Sequence, residues 1–255
     1  MRTAFLAAAS VGAMILWSHG YTAKAAEVKV MAGGPLTAVF KELGPQFERD
    51  TGHKIVAKFS GTAVVQREID AGETFDLVIT NASAVDEWLK QGKIVAATRV
   101  PVAYAGLGVG VRAGTPKPDV SSIDASRRAL LKATSVGHGA ESASATSFKT
   151  LLDRLGIAEQ MKPRLRPMGL GGIYKSVAAG EIDIIVAVVP GIVAAPGVYL
   201  AGSFPAELQT YINFAAGLST SAKEPEAAQA LSKFLTSPSA IAVIKAKGME
   251  PGTPQ

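Results

Sequence analysis

The chain has 255 residues, with 26 Lys and Arg against 21 Asp and Glu, three His and no Cys. The absence of Cys excludes a disulfide scaffold, a thiolate zinc site, an iron–sulfur cluster and a cysteine nucleophile. With 48% apolar and only 18% charged residues, wholesale disorder is excluded as well.

The first segment reads as an address. Met1-Arg2 carries a positive charge, Ala4 to Trp17 carries none, and small residues lead to Ala23-Lys24-Ala25. That is the layout of a secretory signal peptide, residues 1–25, cleaved before Ala26. A spanning helix needs about 20 apolar residues, more than this run supplies. Removing 1–25 takes away Arg2 and Lys24 and leaves 24 basic against 21 acidic residues, a net charge of +3. No basic run exceeds Arg127-Arg128. The expectation is a periplasmic chain, soluble after cleavage, whose mildly basic surface suits a small anion and not nucleic acid.

From there strand and helix alternate. Val28 to Met31 is a short strand, followed by Gly33-Gly34-Pro35 and a helix. Leu36, Val39, Phe40, Leu43 and Phe47 form that helix's apolar face, and Pro35 suits its first turn. The helix stops near Thr51-Gly52. Lys54 to Phe59 is the second strand, Ser60-Gly61-Thr62 a turn, and Val64–Ala71 a helix; Asp76 to Thr80 is the third strand, with Asn81 capping Ala82–Gln91. Three small-polar turns thus open three helices, and in a parallel sheet their unpaired N–H groups converge at one edge, as an anion site requires. Any α/β protein also has good caps, so both readings stay open here. Further on, Gly106 to Arg112 is a strand, Ser126–Ala133 a helix and Ser135 to Gly137 a strand. A helix with the face Phe148, Leu151, Leu152 and Leu155 ends at Gly156. Gly171–Ala179 is a short helix, and Asp183 to Val189 reads as a parallel strand covered on both faces. Glu207 to Leu218 is strand-like, and helices over Pro225–Leu235 and Ser239–Lys247 close the chain.

Several stretches carry a resemblance. FERDTGHKI, FSGTAVVQREIDAGETFDLVIT, ASAVDEWLKQGKI, SVGHGAESASATSFKTLLDRLGI and SKFLTSPSAIAVIKAKGMEP are similar to the periplasmic molybdate-binding proteins of ABC transporters, a branch of the type II solute-binding proteins. PGVYLAGSFPAELQ resembles a divergent branch that includes aconitate isomerases. The resemblance implies a two-lobed α/β fold, each lobe a mainly parallel sheet flanked by helices, with a ligand cleft between them. Lobe one would be 26–100 plus 200–255, and lobe two 101–199. It also implies a binding protein, without catalysis or cofactor, that acts as a monomer and delivers a small anion to an inner-membrane permease. The alternative is an isomerase of a small tricarboxylate. Two of the family's ligand hydroxyls fall on Pro35 and near Ala187, where this chain has none, which weakens the case for molybdate.

The candidate ligand residues are Gly33, Gly34, Ser60, Gly61, Thr62, Asn81, His138, Glu141 and Ser142. Ser60-Gly61-Thr62 either grips an anion or is a plain N-cap; Asn81 either reaches the cleft or caps its helix. Gly33 and Gly34 either let a ligand approach the backbone or make the turn. His138, Glu141 and Ser142 occupy a lobe-two loop expected to face the cleft; a lone histidine is more often structural or solvated, but the carboxyl end of a strand is where a ligand group would stand. Arg67 and Arg112 read as surface ion pairs, and Tyr104 and Tyr174 as packing residues. No P-loop, G-x-S-x-G elbow or HExxH is present. Gly169-Leu-Gly-Gly lacks the preceding strand that a phosphate turn needs.

Overall fold

The expected alternation is present from the start of the described chain. This computed structural model describes residues 25–140 and 143–252. All but the last residue of the expected signal peptide, together with Glu141 and Ser142, lie outside the described residues. β1 (Glu27–Gly33) passes through a 3-10 turn at Gly34–Leu36 into α1 (Thr37–Thr51). α1 buries Val39, Phe40, Leu43 and Phe47 on one stripe and ends at Gly52, whose φ of 74° suits a residue without Cβ. β2 (Lys54–Ser60), α2 (Thr62–Asp70), β3 (Leu77–Asn81) and α3 (Ala82–Lys90) repeat the unit, and β4 (Val100–Ala105) follows.

The middle of the chain runs β5 (Leu107–Arg112), α4 (Ile123–Lys132), β6 (Val136–Gly139), α5 (Ala143–Leu155) and the single turn α6 (Ala158–Met161). Then come β7 (Leu165–Met168), α7 (Leu170–Ala179), β8 (Ile184–Val188), α8 (Val189–Val193) and β9 (Val198–Ser203). β10 (Ile212–Leu218), α9 (Pro225–Phe234), α10 (Pro238–Ala246) and the short β11 (Glu250–Pro251) complete it. No helix among the described residues is long and apolar enough to cross a membrane.

Two sheets result, ordered β11-β4-β10-β3-β1-β2 and β7-β6-β8-β5-β9. The fold is the two-lobed α/β arrangement, but each sheet is mixed, not mainly parallel. β1 pairs parallel with β2 and β3, whereas β10 runs antiparallel to β3 and β4. In the second sheet β6 is parallel to β7 and β8, while β5 is antiparallel to β8 and β9. The strands that carry the chain between lobes have no helical crossover to a neighbour, and parallel pairing needs one of about a dozen residues. β8 is therefore parallel on one side only.

β4 belongs to the first sheet and β5 to the second, so the chain first passes between the sheets at Gly106; β9 belongs to the second sheet and β10 to the first, so it returns between Ser203 and Ile212. Gln209 ties the crossings together. Its Oε1 accepts from the Leu107 N–H at 2.8 Å, and its Nε2 donates to the carbonyls of Leu107 (2.8 Å) and Phe204 (3.1 Å). The expected strand over Glu207–Leu218 is thus shortened, beginning only at Ile212.

Candidate functional site

In each lobe, strand ends run directly into helix starts, and these junctions from the two lobes meet around an open cleft of about 950 Å³. From lobe one come Gly34, Pro35, Phe59, Ser60 and Gly61; from lobe two come Met168, Gly169, Tyr174, Lys175, Pro190 and Gly191. A smaller chamber of about 20 Å³ opens from the same junction, with Thr62, Ser144, Ala187, Val188 and Phe214 in its wall. It has room for about one water molecule.

The helix starts at the cleft share a feature. α2 begins at Gly61 and α7 at Gly169, and neither N-cap residue supplies a side-chain acceptor. The 3-10 turn at Gly34 and the start of α8 are likewise uncapped by side chains. The first N–H groups of a helix have no partner within it and carry the positive end of the dipole. Among the described lining residues of cleft and chamber there is no acidic side chain, and Lys175 is the single charged one. Such a site favours an anion.

The expected site residues divide. Gly33, Gly34, Ser60, Gly61 and Thr62 all line the chamber, and Gly34, Ser60 and Gly61 line the cleft too. The Thr62 hydroxyl is already engaged, 3.1 Å from that of buried Thr80. Pro35 and Ala187, where hydroxyls are missing, both line the chamber. Asn81 lines neither cavity; its Oδ1 accepts from the Ser83 N–H (3.1 Å) and Oγ (3.0 Å) as the cap of α3. His138 also lines neither. Its ring packs 5.5 Å from that of Phe148, and Nδ1 donates to the Gly139 carbonyl at 3.2 Å. Burial holds its pKa below the ordinary histidine value, which favours the neutral imidazole. Arg112 belongs to a separate groove with Lys117, Arg128 and Lys132.

Two features escaped the sequence reading. The strand preceding Gly169 exists: β7, an edge strand containing Pro167, runs straight into that turn. Proline is tolerated at an edge because its missing N–H costs no ladder bond, and it masks the strand in the sequence. The second is Tyr174. Its phenol lines both cavities, and burial pushes its pKa up to about 12, so it stays a protonated donor at neutral pH.

Comparison with known proteins agrees with this layout. The family model of bacterial extracellular solute-binding proteins matches residues 28–250. The chain is 26% identical to an aconitate isomerase from a Pseudomonas species, over 95% of each chain. It is 29% identical to the molybdate-binding protein ModA of Azotobacter vinelandii, over 89% of this chain and 90% of that one. The structure of the periplasmic molybdate-binding protein of Azotobacter vinelandii superposes with a TM-score of 0.76 at 21% identity, covering 89% of this chain and all of that one.

Proposed function

This chain belongs to the bacterial extracellular solute-binding proteins, and we propose that it is an exported, monomeric binding protein that captures a small organic anion in its cleft and delivers it to an inner-membrane ABC permease. The observation that carries this reading is the pairing of two uncapped helix starts, α2 from one lobe and α7 from the other, in a cleft whose described lining holds one cation and no acid. Backbone amides bind an anion without a buried countercharge.

The apolar wall favours a carbon skeleton over a bare oxyanion. Pro35, Phe59, Val64, Met168 and Pro190 line the cleft and have nothing to donate from their side chains. Each hydrogen bond to a charged ligand is worth about 1.5–3 kcal/mol, so a site with Pro35 and Ala187 in place of hydroxyls holds molybdate poorly. Hinge closure of the two lobes over the ligand would create the shape that a permease reads.

The second reading is an isomerase that moves a proton within a tricarboxylate, and the 26% identity to an aconitate isomerase over nearly the whole chain favours it. It needs an acid/base group in the cleft. His138 does not line it; Tyr174 and Lys175 do.

A thermal-shift screen of residues 26–255 against di- and tricarboxylates, oxyanions, neutral sugars and amines tests the first reading. An anion at 100 times its dissociation constant adds about 2.7 kcal/mol of stability. Stabilisation by a neutral sugar and by no anion sinks it. Proton NMR of the same samples with cis-aconitate separates the readings, since only an isomerase produces the trans isomer catalytically.

A further inference from the structure

Gly191 stands in the middle of α8, where glycine is a poor helix former. Its backbone does not explain it, because its φ lies outside the left-handed region. The neighbouring side chain does. A Cβ on residue 191 would fall 2.1 Å from the Tyr174 hydroxyl oxygen and 3.1 Å from its ring carbon Cζ. The phenol of Tyr174 therefore occupies the space in which a side chain at 191 would stand.

Tyr174 stands where the walls of the two cavities meet. Gly34, Pro35, Ser60, Gly61 and Tyr174 line both, and among the described residues Tyr174 is the one lobe-two residue that does. It lines the small chamber together with Gly61 and Thr62 at the start of α2. Its hydroxyl has no hydrogen-bond partner among the described residues, unlike that of Thr62. Tyrosine hydroxyls set among apolar groups usually find a partner, and this one is left free to donate at the wall of both cavities. Lys175 follows on the same helix. Successive helical residues point about 100° apart, yet both line the cleft, Tyr174 half-buried and Lys175 exposed.

We propose that the Tyr174 hydroxyl donates a hydrogen bond directly to an acidic group of the ligand held against Ser60-Gly61, and that Lys175 takes a second acidic group. The site thereby selects organic anions with two or more carboxylates over monocarboxylates. This rests on the anion-binding reading above and narrows it.

Calorimetric titration of residues 26–255 with citrate, tricarballylate, succinate and acetate tests it. The polycarboxylates bind and acetate binds far more weakly. Tyr174→Phe, which keeps the ring and removes the donor, weakens citrate about 10- to 150-fold and leaves the melting temperature unchanged. Lys175→Gln weakens citrate and succinate but barely changes acetate. Gly191→Ala displaces the phenol and weakens citrate as Tyr174→Phe does; the double variant loses little more, because both changes remove one contact.

Equal citrate affinity in wild type and Tyr174→Phe overturns the contact, and acetate binding as tightly as citrate overturns the selectivity. In both cases the anion-binding reading stands. Failure of every carboxylate to bind, whatever else binds, overturns the proposal. If a neutral solute is then the one that binds, the anion-binding reading falls with it.

Discussion

Helix starts in this molecule fall into two groups. Away from the cleft they are closed by side chains: Asn81 Oδ1 caps α3, Ser122 Oγ accepts from Ala125 N–H at 3.2 Å for α4, and Ser237 Oγ accepts from Ala240 N–H at 3.3 Å for α10. The start of α9 is served from outside by the buried Asp76 carboxylate, which accepts from the N–H groups of Lys223 (2.6 Å) and Glu224 (3.1 Å). At the cleft the corresponding positions of α2 and α7 are Gly61 and Gly169. Glycine is nearly as good an N-cap as Ser or Asn, since its amides remain open to other partners. The two groups thus differ little in helix stability and greatly in what their N–H groups are free to bind. Among the described helix starts away from the cleft, the single turn α6 has no side-chain cap.

Three changes sharpen or break that contrast. Closing a cleft start has the largest effect. Gly61 has φ −65° and ψ 150°, a conformation open to any residue. Gly61→Asp supplies α2 with a cap but sets a negative charge at the anion site, and the affinity for a bound carboxylate should fall roughly 100-fold. Calorimetry alongside a melting curve reads both effects; unchanged affinity would show that the start of α2 binds nothing.

Opening a distant start has a smaller effect of the opposite kind. Asn81→Ala should lower stability by about 1 kcal/mol in a denaturant titration, with ligand affinity unchanged. A fall in affinity would bring Asn81 back into the site.

The smallest effect concerns His138, which lies outside both cavities. Its folded pKa is below the unfolded value, so the unfolded chain binds more protons between the two, and stability rises with pH through that window. Stability is therefore lost as pH falls below the ordinary histidine value of about 6.5. His138→Gln should show a smaller drop in melting temperature between pH 7 and pH 5.5. An identical drop in both proteins would assign the acid sensitivity to other groups.

Local structure was legible wherever one residue type answers one local need. The apolar stripe from Leu36 to Phe47 makes α1, the glycine at 52 ends it, and Asn81 caps α3. β4, β7 and β9 were missed because Pro101 and Pro167 interrupt two of them and because short strands borrow their stability from neighbours distant in sequence. The mixed sheet order escaped for the same reason, being set where the chain crosses between lobes.

The site was half legible. The turns Gly33-Gly34 and Ser60-Gly61-Thr62 carry their meaning within three residues, as strand ends opening helices, and they do line the cavities. Whether such a turn grips a ligand or only starts a helix depends on what faces it, and that partner comes from the other lobe. Tyr174 read as a packing residue because its hydroxyl gains a place only through Gly191, seventeen positions away on another helix. His138 looked poised for the cleft, but it is not among the lining residues of either cavity and its ring packs on Phe148. The sequence by itself determined most of the helices and the open start of α2, because hydrogen bonding and apolar periodicity act over a few residues. Which starts share a cleft, and which side chains stand between them, only the tertiary structure decided, because packing brings together residues that no local pattern links.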